Sequence, residues 1–193
     1  MALATASIPA LPPSRIQLST EFVQAHRQAF DRLGTLQFEQ VASAIVGDLP
    51  LAFTLTVTLP RQSGQGVLLQ AAVRNRSDQP VRWKVVPPSL PDFGILDAQG
   101  TVVWICREYQ TYQEGRWQTL AARDERLNSC LWRGLNRDGQ PIPPGRYFLA
   151  SFIPSSDPRR PYGYKSDIWS FCQPDASRRP SCRPVALPEV LRR

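Results

Sequence analysis

The chain has 193 residues, which suits one domain of ordinary size with extensions, or two very small domains. Hydrophobic residues make up 42% of it, which excludes wholesale disorder. No run approaches the roughly 18–20 apolar residues that a membrane helix needs. The net charge of +7 comes almost entirely from arginines. Because these arginines are scattered rather than gathered on a basic helix, they indicate a solvated surface and not a nucleic-acid-binding site.

Residues 1–48 are predicted to form a flexible N-terminus and a short helical lead-in. The first ten residues contain small side chains of the kind found around a signal-peptidase site, without the charged start and apolar core of a signal peptide. A chain that begins near a cleavage point and a plain flexible tail both fit. Apolar residues recur at helical spacing over residues 20–33. Residues 36–46 fit either a helix face or a strand.

From Leu51 onward the apolar residues alternate with polar ones, which is typical of half-buried β-strands. Clusters of Gly, Pro, Asn and Asp separate these runs and predict turns. The predicted strands cover residues 51–59, 67–73, 81–85, 93–96, 102–106, 117–120, 128–132 and 147–153. Many short strands separated by turns predict an all-β fold, an immunoglobulin-like antiparallel β-sandwich over residues 49–153.

Residues 124–153 predict two neighbouring antiparallel strands joined by tight turns. Asp138 before Gly139 suits a reversal with a left-handed residue, and Pro144 before Gly145 suits a type II turn. A tyrosine soon after such a turn can lay its ring on the core and keep its hydroxyl in water. Four aromatic residues are predicted to be largely buried, namely Trp83, Trp104, Trp132 and Tyr147. Trp132 is expected near the centre of one sheet.

The four cysteines are Cys106, Cys130, Cys172 and Cys182. They contain no C-x-x-C pair, and the single histidine cannot complete a usual zinc-finger set. We therefore predict disulfides, with free thiols as the alternative. By strand parity Cys106 and Cys130 can meet between neighbouring strands, while Cys172 and Cys182 would close a short loop. Two disulfides favour an oxidising compartment and predict an extracytoplasmic or secreted protein, whereas four free thiols would indicate the cytoplasm.

Several motifs follow one another in order along residues 51–153. The first is the turn and strand start Asn75-Arg-Ser-Asp-Gln-Pro-Val81. The second group is Asp92-Phe93, Asp97-Ala-Gln-Gly100 and Val103-Trp104; the third is Trp132, Gly139, Pro143-Pro144-Gly145 and Tyr147. This ordered set resembles the BsuPI-type intracellular proteinase inhibitors, which carry N-x-S-D-x-P-V, D-F…D-x-x-G…V-W and W…G…P-x-G-x-Y. The resemblance implies an immunoglobulin-like sandwich, a bacterial origin and inhibition of a serine protease.

No enzyme site emerges from the sequence. It lacks a Gly-rich phosphate loop and the metalloprotease and serine-hydrolase motifs, and its one histidine, His26, is expected on the solvent face of the first helix. We therefore expect no catalytic residue, no metal and no cofactor. The protein is expected to be a non-catalytic protein-binding module, and more specifically an inhibitor of a serine protease. The alternative is an exported or envelope structural domain without inhibitory activity.

The predicted partner-binding residues are Pro87, Pro88, Ser89, Leu90 and Pro91. They stand where the chain departs from the pattern of the family. Three prolines restrict the backbone, and a stiff loop binds at a lower entropy cost, with Leu90 as an apolar anchor. A stiff connector between strands is the alternative. The Pro- and Arg-rich residues 154–193 are predicted to pack on the sandwich and cover a sheet edge, or to form a partner-binding arm.

Overall fold

The computed structural model describes Glu21, Gln24 and residues 27–44, 48–61, 65–85, 91–107, 115–153, 164–173 and 185–192. Within these residues the chain is mostly antiparallel β-structure, which confirms the predicted all-β class. The helical segments are α1 (Arg27–Arg32), the 3-10 turn η1 (Leu33–Thr35) and α2 (Glu189–Arg192). The strands are β1 (Phe38–Ala42), β2 (Leu51–Thr58), β3 (Val67–Asn75), β4 (Val81–Val85), β5 (Asp92–Asp97), β6 (Val102–Ile105), β7 (Arg116–Leu120), β8 (Glu125–Trp132), β9 (Gly145–Ile153), β10 (Tyr164–Lys165) and β11 (Ile168–Gln173).

The described strands form three antiparallel sheets. The large sheet has the order β1-β11-β9-β5-β6, and β10 pairs with β9 beside it. A three-stranded sheet has the order β2-β3-β8, and β4 pairs with β7 in a two-stranded ribbon. The strands that the alternating pattern predicted after Leu51 are all present within a few residues of the expected bounds. Alternation marks β2, β3 and β8, which have one face in the core, whereas β5 and β9 are continuous buried runs.

One hydrophobic core joins the three sheets in a sandwich-like arrangement. Phe53 and Leu55 of β2 are buried in it, while Thr54 and Thr56 between them are exposed. From the large sheet the core includes Phe93, Ile95, Tyr147, Leu149 and Phe171, and from the ribbon Val81, Trp83 and Leu120. The rings of Trp132 in β8 and Phe171 in β11 lie 5.3 Å apart, so the sheets pack face to face here.

The prediction that the strands within residues 124–153 are neighbours is wrong. β8 pairs with β3 in the three-stranded sheet, whereas β9 pairs with β5 and β11 in the large sheet. The connection at residues 133–144 crosses between the sheets and closes a small turn of its own, in which Leu135 and Pro141 form an isolated bridge. Gly134 has a φ of +77°, and a Cβ there would lie 2.9 Å from Leu33, so glycine permits the close approach that redirects the chain.

Both terminal segments contribute strands to the large sheet. β1 pairs with β11 through Phe38 and Phe171, and β11 pairs with β9 through Phe171 and Tyr147. The ambiguous stretch of residues 36–46 therefore contains a strand. The predicted boundaries at residues 48 and 153 cut through this sheet, and the predicted extension supplies one of its inner strands. Of the predicted lead-in helix, α1 and η1 are described.

The C-terminal helix covers the opposite face of the large sheet. Leu191 of α2 packs with Leu96, Phe148 and Ile168 in a second buried cluster. The turn after β5 approaches the same segment, since a Cβ on Gly100, whose φ is +86°, would lie 3.0 Å from Val190. The inner strands β5, β9 and β11 are consequently buried on both faces, while β1 and β6 at the edges are more exposed.

Candidate functional site

The predicted partner-binding loop is described only at its end. Pro87, Pro88, Ser89 and Leu90 lie outside the described residues. Pro91 is buried, and its carbonyl oxygen accepts a hydrogen bond of 2.6 Å from Asn128 Nδ2. Pro91 therefore anchors the segment to β8 and is not an exposed contact residue, which corrects the prediction for this position.

The ribbon of β4 and β7, from which this loop departs, presents an exposed aromatic residue. Trp117 is 62% exposed and lies opposite Lys84 in the strand register. The Arg82 guanidinium carbon lies 5.3 Å from the centroid of the Trp117 ring, a cation–π geometry. We call Arg82, Lys84 and Trp117 the Trp117 surface.

The alternation of the ribbon explains why this tryptophan faces solvent. Val81 and Trp83 of β4 are buried, as is Leu120 of β7. Side chains alternate between the faces of a strand, so burial of Leu120 leaves Trp117 on the other face. The alternation of residues 117–120 predicts a strand but does not say which of its faces is buried. The surface could have been predicted from the odd spacing between Trp117 and Leu120, which places their side chains on opposite faces of β7.

The motif that begins at Asn75 has a structural role. Asn75 is fully buried, and its Nδ2 donates to the carbonyl oxygens of Gln79 at 2.7 Å and of Ala121 at 2.9 Å. Its Oδ1 accepts from the backbone N–H of Ser77 at 2.9 Å. Asp78 of the same turn forms an ion pair of 2.8 Å with Arg123. The motif thus joins the turn after β3 to the turn between β7 and β8.

The other motif residues serve turns and the core as well. Asp97 Oδ1 accepts from the backbone N–H groups of Gln99 at 2.9 Å and Thr101 at 2.8 Å, which closes the turn between β5 and β6. Tyr147 Oη donates to the carbonyl oxygen of Pro143 at 2.8 Å rather than standing in water. Burial raises the pKa of Tyr147, and the carboxylate of Asp97 raises it further.

The structure places the predicted core tryptophans at different depths. Trp83 and Trp132 are almost fully buried, and so is Tyr147. Trp104 is half-buried and lies 6.3 Å from the ring of Trp132. Trp132 belongs to β8, an outer strand of its sheet, and not to the centre of a sheet as expected. Its Nε1 donates to the carbonyl oxygen of Leu135 at 3.0 Å.

The first of the two predicted disulfides is present. Cys106 and Cys130 form a disulfide with a Cα–Cα distance of 6.3 Å. The expectation that they lie on neighbouring strands is wrong, because Cys106 follows β6 of the large sheet while Cys130 lies in β8 of the three-stranded sheet. The disulfide therefore links two sheets. Cys172 is also disulfide-bonded, and Cys182, its predicted partner, lies outside the described residues.

The part of the chain that the structure describes contains no cluster of three or more His, Cys, Asp or Glu side chains suited to a metal ion. His26 lies outside that part. Among the described helices, none has the length and apolar character that a membrane crossing requires.

A scan against protein-family models gave no match to this chain, and a search of the curated proteins gave none either.

Proposed function

We propose that this chain is a non-catalytic protein-binding module built on an immunoglobulin-like β-sandwich. Two features support the fold. The sheets β2-β3-β8 and β11-β9-β5-β6 reproduce the order A-B-E against G-F-C-C′ of such domains. Tyr147, at the start of the strand in the F position, bonds through its hydroxyl to the backbone at Pro143, which is the geometry of a tyrosine corner.

The observation that carries the binding function is the 62% exposure of Trp117 beside Arg82. Tryptophan and arginine are the residue types most enriched among binding hot spots. Stacking by Arg82 restricts the Trp117 ring before any partner arrives, which lowers the entropy cost of binding. Lys84 lies opposite Trp117 in the strand register, so Arg82, Lys84 and Trp117 form one proposed binding surface.

In its specific form the proposed function is inhibition of a serine protease. The ordered motifs from Asn75 to Tyr147 support it through their resemblance to the BsuPI-type inhibitors. The second candidate is an exported or envelope interaction domain without inhibitory activity. The Cys106–Cys130 disulfide favours this candidate, because such bonds persist in oxidising compartments while the family is named for an intracellular inhibitor.

Titration of subtilisin-like and trypsin-like proteases with the purified protein tests the specific function. We expect inhibition of at least one protease, and the Trp117→Ala variant should weaken it at least tenfold, about 1.4 kcal/mol. Leu127→Ala, which removes an exposed side chain from a different sheet, is the matched control and should leave inhibition unchanged. If no protease in the panel is inhibited, the inhibitor function is wrong. If inhibition survives Trp117→Ala, the binding region lies elsewhere.

A further inference from the structure

A second exposed surface lies on the solvent side of the three-stranded sheet. The register of β2, β3 and β8 places residues of the three strands side by side on this face. The resulting rows are Thr58-Leu68-Leu131, Thr56-Gln70-Ser129, Thr54-Ala72-Leu127 and Ala52-Arg74-Glu125. Leu127 is 55% exposed and Leu131 is 37% exposed, although a solvent-facing strand position ordinarily carries a polar residue. We call these four rows the outer face.

An apolar groove occupies one end of the outer face. It has a volume of about 630 Å³, and Leu68 and Leu131 contribute its apolar surface together with Leu59. Gly66 forms part of the wall, and a Cβ there would lie 2.6 Å from the carbonyl oxygen of Trp132, so only glycine lets the chain approach β8 this closely. Arg61 and Arg133 also line the groove, and Arg61 is exposed.

A basic pocket occupies the other end. It has a volume of about 290 Å³ and is lined by Arg74, Arg76 and Arg123, while Ala52 and Ala72 are among its other lining residues. Arg123 is held by Asp78. Arg74 and Arg76 form no ion pair with any residue in the described ranges, although Glu125 lines the same pocket. Three guanidinium groups thus stand against the carboxylates of Asp78 and Glu125, which leaves a surplus of one positive charge at the pocket.

We propose that the outer face binds an extended acidic segment of a partner protein. Arg74 and Leu68 are six positions apart on one strand, which is about 20 Å, and an extended peptide covers this distance with about six residues. The segment would place an apolar side chain in the groove, cross Leu127, and set a carboxylate between Arg74 and Arg76. Guanidinium groups bind carboxylates through paired, charge-assisted hydrogen bonds.

Apolar contacts distinguish this surface from a site for nucleic acid or a sulfated polysaccharide. Such polyanions need basic residues along their whole length, whereas the middle of the outer face carries Leu127, Gln70 and Ser129. The surface belongs to a different sheet from the Trp117 surface. The inference therefore does not rest on the proposed function and provides for a second partner.

Fluorescence anisotropy with a labelled synthetic peptide tests the inference. The peptide carries a leucine near one end, a pair of glutamates about six residues further on and neutral polar residues elsewhere. We expect binding that weakens as salt rises. The double variant Arg74→Glu with Arg76→Glu should weaken it at least tenfold, and so should Leu131→Ser. The matched double variant Arg82→Glu with Lys84→Glu on the Trp117 surface should change it less than twofold. Because all these side chains are exposed, melting temperatures should stay close to that of the natural protein.

Several results would overturn the inference. A Kd weaker than about 1 mM for the peptide is one. Two further peptides test spacing and charge. If a peptide with the leucine and the glutamates adjacent binds as tightly as the first one, the spacing is irrelevant. If a peptide with glutamines in place of the glutamates binds as tightly, the charge is irrelevant. Equal losses in the two double variants would reveal general charge attraction. Tighter binding of a short single-stranded DNA or a heparin fragment to the same face would assign it to another class of polyanion.

Discussion

The ring of Phe171 lies 5.3 Å from the ring of Trp132, which brings the last described strand against the strand that precedes the crossover. Phe171 also lies 4.9 Å from Phe38 and is stacked 5.6 Å from Tyr147. Aromatic pairs at these separations add favourable contacts beyond the area they bury. One residue of the C-terminal segment thus joins both sheets to the N-terminal strand.

Replacement of Phe171 should consequently destabilise the whole domain. We expect Phe171→Ala to lower the free energy of unfolding by about 3–5 kcal/mol, since it removes a buried ring and leaves a cavity among three others. Urea denaturation followed by tryptophan fluorescence measures the change. Trp117→Ala, which removes an exposed ring, should shift stability by less than about 0.5 kcal/mol. Equal, small effects of the two substitutions would show that β11 is not part of the core.

The alternating strands could be predicted because their pattern is local, but β11 could not. Ile168 of this strand faces the cluster under the C-terminal helix, while Phe171 faces the main core. A strand buried on both faces loses the contrast between apolar and polar positions, so alternation does not mark it. β5 and β9 are buried on both faces as well, and they were predicted from short apolar runs with turn signals between them. The separation of β8 from β9 escaped prediction for a different reason. Each strand pairs with partners distant in sequence, and the turn signals between them fit a crossover as well as a hairpin.

The candidate sites also include one feature that a local sequence pattern predicts and one that depends on residues distant in sequence. The outward direction of Trp117 follows from strand parity and was accessible from the sequence. The basic pocket was not accessible, because Arg74 belongs to β3 and Arg123 follows β7, and only the pairing of β3 with β8 brings them to one place. The motif at Asn75 was recognised, but its role in joining two turns depends on contacts with Ala121.

The disulfide between sheets gives a second prediction. Replacement of Cys106 and Cys130 by serine should lower the free energy of unfolding by about 3 kcal/mol, because the bond closes a loop with a sequence separation of 24 in the unfolded chain. Thermal unfolding of the double variant against the natural protein measures the loss. Non-reducing peptide mapping of freshly isolated protein is the control. Two alkylatable thiols at these positions would contradict the bond and place the protein in a reducing compartment.

Asn75 provides a third prediction, with Asn136 as its matched control. Asn75→Ala should cost about 2–3 kcal/mol, since it removes a fully buried side chain that bonds the carbonyl oxygens of Leu120 and Ala121 and the N–H of Ser77. Asn136 Oδ1 accepts similar bonds from Asp138 and Gln140 in an exposed turn. There water can replace the lost partner, so Asn136→Ala should cost about 1 kcal/mol or less. A larger loss at Asn136 than at Asn75 would refute the structural role assigned to the motif.

The fourth prediction concerns stability in alkaline solution. Burial, and then the charge of Asp97, raises the pKa of Tyr147 above its usual value of 10.0. The folded state therefore holds the phenol proton more tightly than the unfolded state. The stabilising contribution is complete below the unfolded pKa and is lost as pH rises through the folded pKa. We expect the natural protein to lose stability from this group only above about pH 10.

Comparison of the natural protein with Tyr147→Phe isolates this contribution. At neutral pH the variant should be less stable by about 1 kcal/mol, because it loses the hydrogen bond from Tyr147 Oη to the carbonyl oxygen of Pro143. Phenylalanine cannot ionise, so the gap should narrow as pH rises above about 10, and the other titrating groups cancel in the difference. Urea midpoints at a series of pH values measure the gap. Asp97→Asn keeps an oxygen for the turn N–H groups of Gln99 and Thr101 but removes the charge, which lowers the folded pKa of Tyr147 and leaves the unfolded pKa unchanged. The loss should therefore be smaller than in the natural protein and level off at a lower pH, and a loss as large as that of the natural protein would refute the coupling between the two residues.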